Sequence, residues 1–250
     1  MSFLFYTKDM NYIVASIFTT CIDPQRDVKW NPTVQDLQDW HASVKALCVE
    51  GSTIHPIIFY DQLSREVLSA YAADCVTFVQ VEDCNYLSPH DYRWIVYKNF
   101  VDSNLQEGDN IFFTDITDVV VANDPFPHIQ PSTLYSGDEE VAWDNGWANA
   151  RSRFHSNTIA DFDQVYQANR NANLLNCGIL GGSLDIIKQF LEKAYHYIEL
   201  TLEKPYDTTD MVTHNYVIRK YFPNVVHGAP LNSVFKNYEY SRKDVWFIHK

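Results

Sequence analysis

Apolar and polar positions along the first half of the chain change period repeatedly, from strand-like runs to helix-like spacing and back. "YIVASIFTT", Tyr12 to Thr20, is an apolar, β-branched run of the kind a buried strand needs. After Pro32, the apolar residues Leu37, Trp40, Val44 and Leu47 fall at helical spacing and predict an amphipathic helix begun by Thr33. "IHPIIFY" predicts the next strand, "SREVLSAYAA" the next helix and "CVTFVQV" a third strand. "SPHDYRWIVYKNFVD" supplies Ser88 as N-cap, Pro89 at the first helical position and Asp91 in the first turn, with Trp94, Ile95, Tyr97 and Phe100 for burial. "NIFFT" predicts the fourth strand. Strands separated by helices of this size imply parallel pairing in a helix-covered sheet, an α/β fold.

The second half is less regular. Residues 127–173 hold "DEEVAWDNGWANARSRFHSN", polar and aromatic without a clear period, which predicts a long irregular functional loop. "NLLNCGILGGS" predicts a strand ending in a glycine turn, with Ser183 capping a helix from Leu184 to Leu202. A helix from about Thr209 to Tyr221 and short strands near 224 and 245 complete the prediction. No repeat, low-complexity tract or linker interrupts the chain, so a single domain over 1–250 is expected.

Composition narrows the functional classes. With 250 residues, 46% of them apolar, the chain can bury one sizeable core. A net charge of −13 argues against a nucleic-acid partner, whose backbone calls for a basic stripe. The cysteines, Cys21, Cys48, Cys75, Cys84 and Cys177, are odd in number and contain no CxxC pair. They read as reduced thiols in a cytosolic setting, and they speak against thiolate-bound zinc. The start "MSFLFYTKDMNYIVASIF" has polar breaks unlike a signal peptide, and no apolar run reaches the roughly 18 residues of a membrane span. A soluble, cytoplasmic protein is therefore expected.

The chemistry concentrates in "NIFFTDITDVVVANDPF", where a buried strand breaks into Asp115 and Asp118 before returning to valines. Ligands of parallel sheets bind at the carboxyl ends of strands, where Asp115 falls. Residues three apart on a strand face opposite ways, so the two carboxylates converge only if the chain turns between them. Converging carboxylates repel unless a cation intervenes, and Mg²⁺ or Mn²⁺ suits oxygen ligands that also leave room for phosphate. Taken alone, one Asp capping the turn and the other solvated explains the pair as well.

An apolar strand followed by "TDITDVVVANDPF", then "NCGILGGS", "TDMVTHNYVI" and a terminal "VWFIHK", resembles the nucleotide-sugar glycosyltransferases of the GT-A fold. The resemblance covers most of the chain in element order, with "DITDVVVANDPF" and "NCGILGGS" its specific stretches. It implies a mostly parallel central sheet with helices on both faces, a nucleotide-binding half over 1–126 and an acceptor-binding half over 127–250. It implies that Asp115 and Asp118 do the work of an Asp-x-Asp motif on a divalent metal, Mn²⁺ or Mg²⁺, and on the donor's ribose or pyrophosphate. Here Thr117 occupies the place of the second aspartate and Asp118 comes one residue later. Asp118 is then the preferred direct ligand, with Asp115 turned toward the ribose or a metal-bound water. His249 becomes the third ligand, and imidazole beside two carboxylates suits Mn²⁺.

The same resemblance places Thr19, Thr20 and Cys21 against the nucleotide base, and Asp61 against uracil or ribose. Arg93 would face the ribose or phosphates, which its planar fork can hold through two hydrogen bonds. Lys250 would neutralise the leaving diphosphate. Asn176 and Gly178 would border the transferred sugar and the acceptor. Asp210 would lie near the acceptor hydroxyl as a general base, although by position it also reads as a first-turn acid of a helix. Trp143, Asp144 and Trp147 offer a sugar platform, in which an aromatic face stacks and the acid bonds hydroxyls, with Asp144 as a second catalytic carboxylate. An aromatic patch covering the core explains the two tryptophans equally well.

The expected function is metal-dependent transfer of a sugar from a UDP- or GDP-linked donor to a glycan or other hydroxyl acceptor. Two alternatives accompany it: a non-catalytic carbohydrate- or nucleotide-binding module, and a nucleotidyltransferase. The latter calls for a glycine-rich basic loop that "TTCIDPQRD" does not supply.

Overall fold

The structure is a computed structural model that describes residues 9–72, 74–84, 87–201 and 210–250. Three βα segments and a fourth strand build its first half: β1 (Asn11–Ile17), α1 (Val34–Lys45), β2 (Ile54–Tyr60), α2 (Arg65–Tyr71), β3 (Thr77–Gln80), α3 (Pro89–Asn104) and β4 (Asn110–Thr114). Thr33 caps α1 in a reciprocal box with Asp36, and the side chains of Ser64 and Ser88 cap α2 and α3. A short β5 (Val119–Val121) follows. The second half comprises β6 (Tyr135–Ala142), α4 (Gly146–Thr158), α5 (Phe162–Asn169), β7 (Asn173–Ser183), α6 (Leu184–Thr201), α7 (Asp210–Tyr221) and β8 (Phe247–His249). The predicted ends at Ala73 and Leu202, the predicted start at Thr209 and the first eight residues lie outside the described residues.

The main sheet runs β3-β2-β1-β4-β7-β6. The first four of these strands are parallel, and β7 and β6 pair antiparallel beyond β4. Alternation along the central strands sends Ile13, Ala15, Ile17 and Phe112 to one face, against Leu37, Trp40, Val67 and Phe247. Val14, Ile111 and Phe113 go to the other face, against Trp94, Phe190 and Val217 of α3, α6 and α7. Both faces are thus covered, as parallel strands require. The chain moves outward from β1 to β3, then returns to place β4 on β1's other side, and that reversal opens a crevice at the carboxyl edge.

Three expectations are corrected. The segment 127–173 is not an irregular loop; it contains β6, α4 and α5. Its strand lacks an apolar alternation because buried Asp138 is satisfied by partners distant in sequence, His227 Nδ1 at 2.7 Å and Asn173 Nδ2 at 2.9 Å. Asn145 caps α4 by accepting from the amides of Trp147 and Ala148. Second, "GILGGS" does not turn at its glycines. β7 continues through them, with Phe112 opposite Gly181 and Asn110 opposite Ser183. Near 224, only an isolated bridge between Tyr135 and Val226 forms. Third, Cys21 and Cys84 are joined in a disulfide with Cα atoms 5.8 Å apart, because the loops after β1 and β3 lie side by side. Cys48, Cys75 and Cys177 are free. A cytosolic setting, inferred from five reduced thiols, loses that support. No helix among the described residues is long and apolar enough to cross a membrane.

Gly181 shows how tightly β7 meets β4, since a Cβ there would run into the Phe112 ring. Gly181→Ala is expected to destabilise the fold by about 3 kcal/mol, the upper part of the overpacking range. Urea titration checks this, and adding Phe112→Leu is expected to recover part of the loss.

Candidate active site

A cleft of about 730 Å³ opens at the carboxyl edge of the sheet, lined in part by Ser16, Arg93, Asp115, Asn176, Asp210 and His249. Asp115 follows β4, and its amide donates to the Gly178 carbonyl at 2.9 Å, which fixes the strand end against β7. The chain turns over Ile116 to Asp118 and runs back as β5, pairing antiparallel with β8 so that Val119 faces His249. The Lys250 amide donates to the Asp118 carbonyl at 2.6 Å, and the His249 amide donates to Ser233 Oγ at 2.9 Å. These bonds bring the last residues of the chain to the aspartate turn.

The groups converge on Gly178. A Cβ at that position would lie 2.7 Å from Asp115 Oδ2, 2.7 Å from Asn176 Oδ1 and 3.1 Å from His249 Nε2. The missing side chain therefore leaves a polar cradle, the reason glycine is needed here. Asn176 is fixed at both ends of its amide, accepting from the Gly178 amide at 2.6 Å and donating to Glu139 Oε1 at 2.5 Å. Burial holds the His249 pKa down to about 4, so the ring is neutral, and its Nε2 faces Asp115. Burial, and after it the Asp115 charge, raises the Asp118 carboxyl above its ordinary value; Thr117 bonds it in compensation.

Arg93 organises the carboxylates from α3. It is buried, donating from Nη1 to Asp115 Oδ1 at 2.6 Å and from Nη2 to Asp210 Oδ2 at 2.7 Å. Burial opposes its charge, but the two carboxylates outweigh that and raise its pKa further. One oxygen of Asp115 is thereby tied back while the other faces the cradle. Asp210 also accepts from the Met211 amide at 2.7 Å, so its carboxylate is held in place at the N-terminus of α7.

A neutral imidazole nitrogen beside a carboxylate oxygen is a donor set that suits Mn²⁺ or Mg²⁺. The chemistry of Asp115 and His249 fits such an ion. Among the described residues, no three His, Cys, Asp or Glu side chains form a group that could hold a metal, so Asp118 does not close the set in this conformation.

Other residues singled out from the sequence are engaged elsewhere. Asp61 is fully buried and accepts from the Thr19 amide at 2.8 Å, the Thr20 amide at 3.0 Å and the Thr20 hydroxyl at 2.5 Å. Its carboxylate therefore ties the loop after β1 to the end of β2 and does not line the cleft. Cys21 does line it, as half of the disulfide. Lys250 reaches Asp39 on α1 at 2.6 Å. Asp144 bonds Asn149 at 2.8 Å, Tyr166 at 3.0 Å and also Arg170, away from the cleft lining. Trp143 is a core residue with no exposed surface, whereas Trp147 lines the cleft and packs under Arg151 at 4.1 Å.

No family model matches the chain, and no curated protein matches it in sequence. Among solved structures, the chain is similar to the galactosyltransferase LgtC in complex with donor and acceptor sugar analogs, and to an active-site mutant of LgtC. Each match has a TM-score of 0.52 at 13% identity and covers 96% of this chain and 86% of the other. The fold is GT-A-like. On that fold, the crevice beside β4 is the place where Asp115, Asn176, Gly178 and His249 meet.

Several cleft residues had no sequence signal. Glu139 sits in an acidic run without a period, and burial raises its pKa. His90 lies one residue past Pro89 and faces Asp23 at 3.5 Å. Burial disfavours its charged form, but Asp23 and Asp210 outweigh this and raise the pKa. Lys236 comes from a loop between α7 and β8. A small hairpin, closed by a bridge between Asp23 and Val28, walls one side.

Proposed function

We propose that the chain is a metal-dependent glycosyltransferase, moving a sugar from a UDP- or GDP-linked donor to a hydroxyl of a glycan or other acceptor. The observation that carries this reading is the cradle over Gly178, where a carboxylate, an amide and a neutral imidazole face one point at the carboxyl edge of a GT-A-like sheet. Residues 1–126 would supply the nucleotide side of the cleft and 127–250 the acceptor side. Asp115 and His249, with Asp118, would hold Mn²⁺ or Mg²⁺, which supplies Lewis-acid charge for the diphosphate leaving group. Arg93 holds Asp115 so that one oxygen stays directed at the cradle, and it orients the Asp210 carboxylate. Asp210 orients a reacting hydroxyl, and Glu139, whose pKa burial raises, is a proton acceptor in the same cleft. Asn176 fixes the Glu139 carboxylate through its amide nitrogen.

A thermal-shift screen of UDP- and GDP-sugars tests the proposal. A ligand at a hundred times its Kd stabilises the native state by about 2.7 kcal/mol, so the midpoint is expected to rise with the donor and Mn²⁺ together. Release of free sugar or transfer to an acceptor is expected alongside. No shift at millimolar donor with Mn²⁺ would overturn the reading, while binding without turnover would favour a non-catalytic binding module.

A further inference from the structure

The transferase reading leaves a charge unaccounted for. When the C1–oxygen bond of the donor breaks, its electron pair leaves on the diphosphate, while the acceptor oxygen bonds to C1 and its proton passes to a base. The departing group needs a cation from the chain as well as the metal. Lys250 is paired with Asp39, Arg26 with Asp23, and Arg93 with two carboxylates. Lys29 and Lys236 line the cleft and, among the described residues, neither has a carboxylate within ion-pair distance.

Between these two, the surroundings favour Lys236. Phe235 packs on the His249 ring at 4.5 Å between centroids, and the Lys236 ammonium lies 4.7 Å from the centre of the Phe235 ring. The Lys236 backbone sits at φ +63°, in the left-handed region that lysine disfavours. Of the five non-glycine residues with positive φ among the described residues, Lys236 alone lines the cleft. Backbone strain of this kind gathers where a side chain must be presented to a ligand.

We propose that Lys236 is the cation that receives the diphosphate of the donor beside His249. This rests on the transferase reading, and titration calorimetry separates the two. UDP, GDP, UMP and GMP are titrated in the presence of Mn²⁺ into the wild type, Lys236→Ala and Lys236→Arg. Both variants keep a Cβ at φ +63°, so the backbone strain is unchanged and equal thermal midpoints are expected. Lys236→Ala is expected to weaken the diphosphate that binds by about 10- to 100-fold, the scale of one charge-assisted hydrogen bond, and the monophosphate much less. Lys236→Arg is expected to restore most of the difference. If neither diphosphate binds the wild type, the transferase reading falls and this inference falls with it. If a diphosphate binds the wild type and Lys236→Ala equally, or if mono- and diphosphate lose the same factor, only the role of Lys236 is overturned.

Discussion

Asp115→Ala and Asp118→Ala are each expected to lower sugar transfer by about 10³-fold or more, the scale of losing a group that acts on charge developing in the transition state. Their effects on stability are expected to differ. Asp115 accepts from buried Arg93, so its removal leaves the guanidinium with Asp210 alone and an unpaired nitrogen. Breaking such a pair from one side costs about 3–5 kcal/mol, of which the remaining Asp210 contact recovers a share. Asp118 is in the opposite position, because burial and then the Asp115 charge disfavour its ionised form. Its removal relieves a repulsion, so the thermal midpoint is expected to stay the same or rise. Donor hydrolysis measured across a Mn²⁺ titration, with a melting curve for each variant, checks both halves. Full activity in either variant would remove that carboxylate from the site.

The parts of the fold that were legible in the sequence are those built by local rules. β2 falls on "IHPIIFY" itself, and Thr33 and Ser88 start α1 and α3 because cap chemistry is local. β6 was hidden because its polar residues find partners from far along the chain, buried Asp138 with His227 and half-buried Glu139 with Asn176. The disulfide was hidden for the same reason, its cysteines 63 residues apart. At the site, Asp115 and His249 stand at strand ends and Asn176 and Gly178 within β7, all in distinctive motifs, and the structure brings them together. Asp61 also ends a strand, but its carboxylate satisfies the amides of Thr19 and Thr20, and strand-end position alone does not distinguish these uses. Lys236 and Glu139 have no motif around them; only folding shows that they share a cleft.

Acidification is expected to unfold the chain between about pH 6.5 and pH 4, because His155 and His214, like His249 in the cleft, are buried in neutral form. His155 lies among α4, α5 and α7, with Nε2 2.9 Å from Thr213 Oγ1, and burial lowers its pKa to about 4. His214 stacks on Trp94 and meets Phe190 edge-on, with Nε2 2.8 Å from Ser136 Oγ, and burial lowers its pKa to about 3. Each binds fewer protons in the fold than in the unfolded chain, so its contribution is complete above the unfolded value and is lost as pH falls toward the folded one. Each unit of separation amounts to about 1.4 kcal/mol. The two sites together then reach several kcal/mol, comparable with the roughly 5–15 kcal/mol of net stability a domain has. The fold is therefore expected to give way before either ring protonates in place. Asp61 and Asp138, whose carboxyls are held below their ordinary 3.8, contribute stability that is present above that value and is lost only below it. The histidine and carboxylate windows thus separate. Urea midpoints taken from about pH 7.5 to pH 4 are expected to fall steeply in the wild type. His155→Gln with His214→Gln, which replaces each titrating ring by an amide that can still reach its hydroxyl partner, is expected to flatten that fall. A wild-type midpoint that holds constant down to about pH 4 would show that these rings are not kept neutral by the fold.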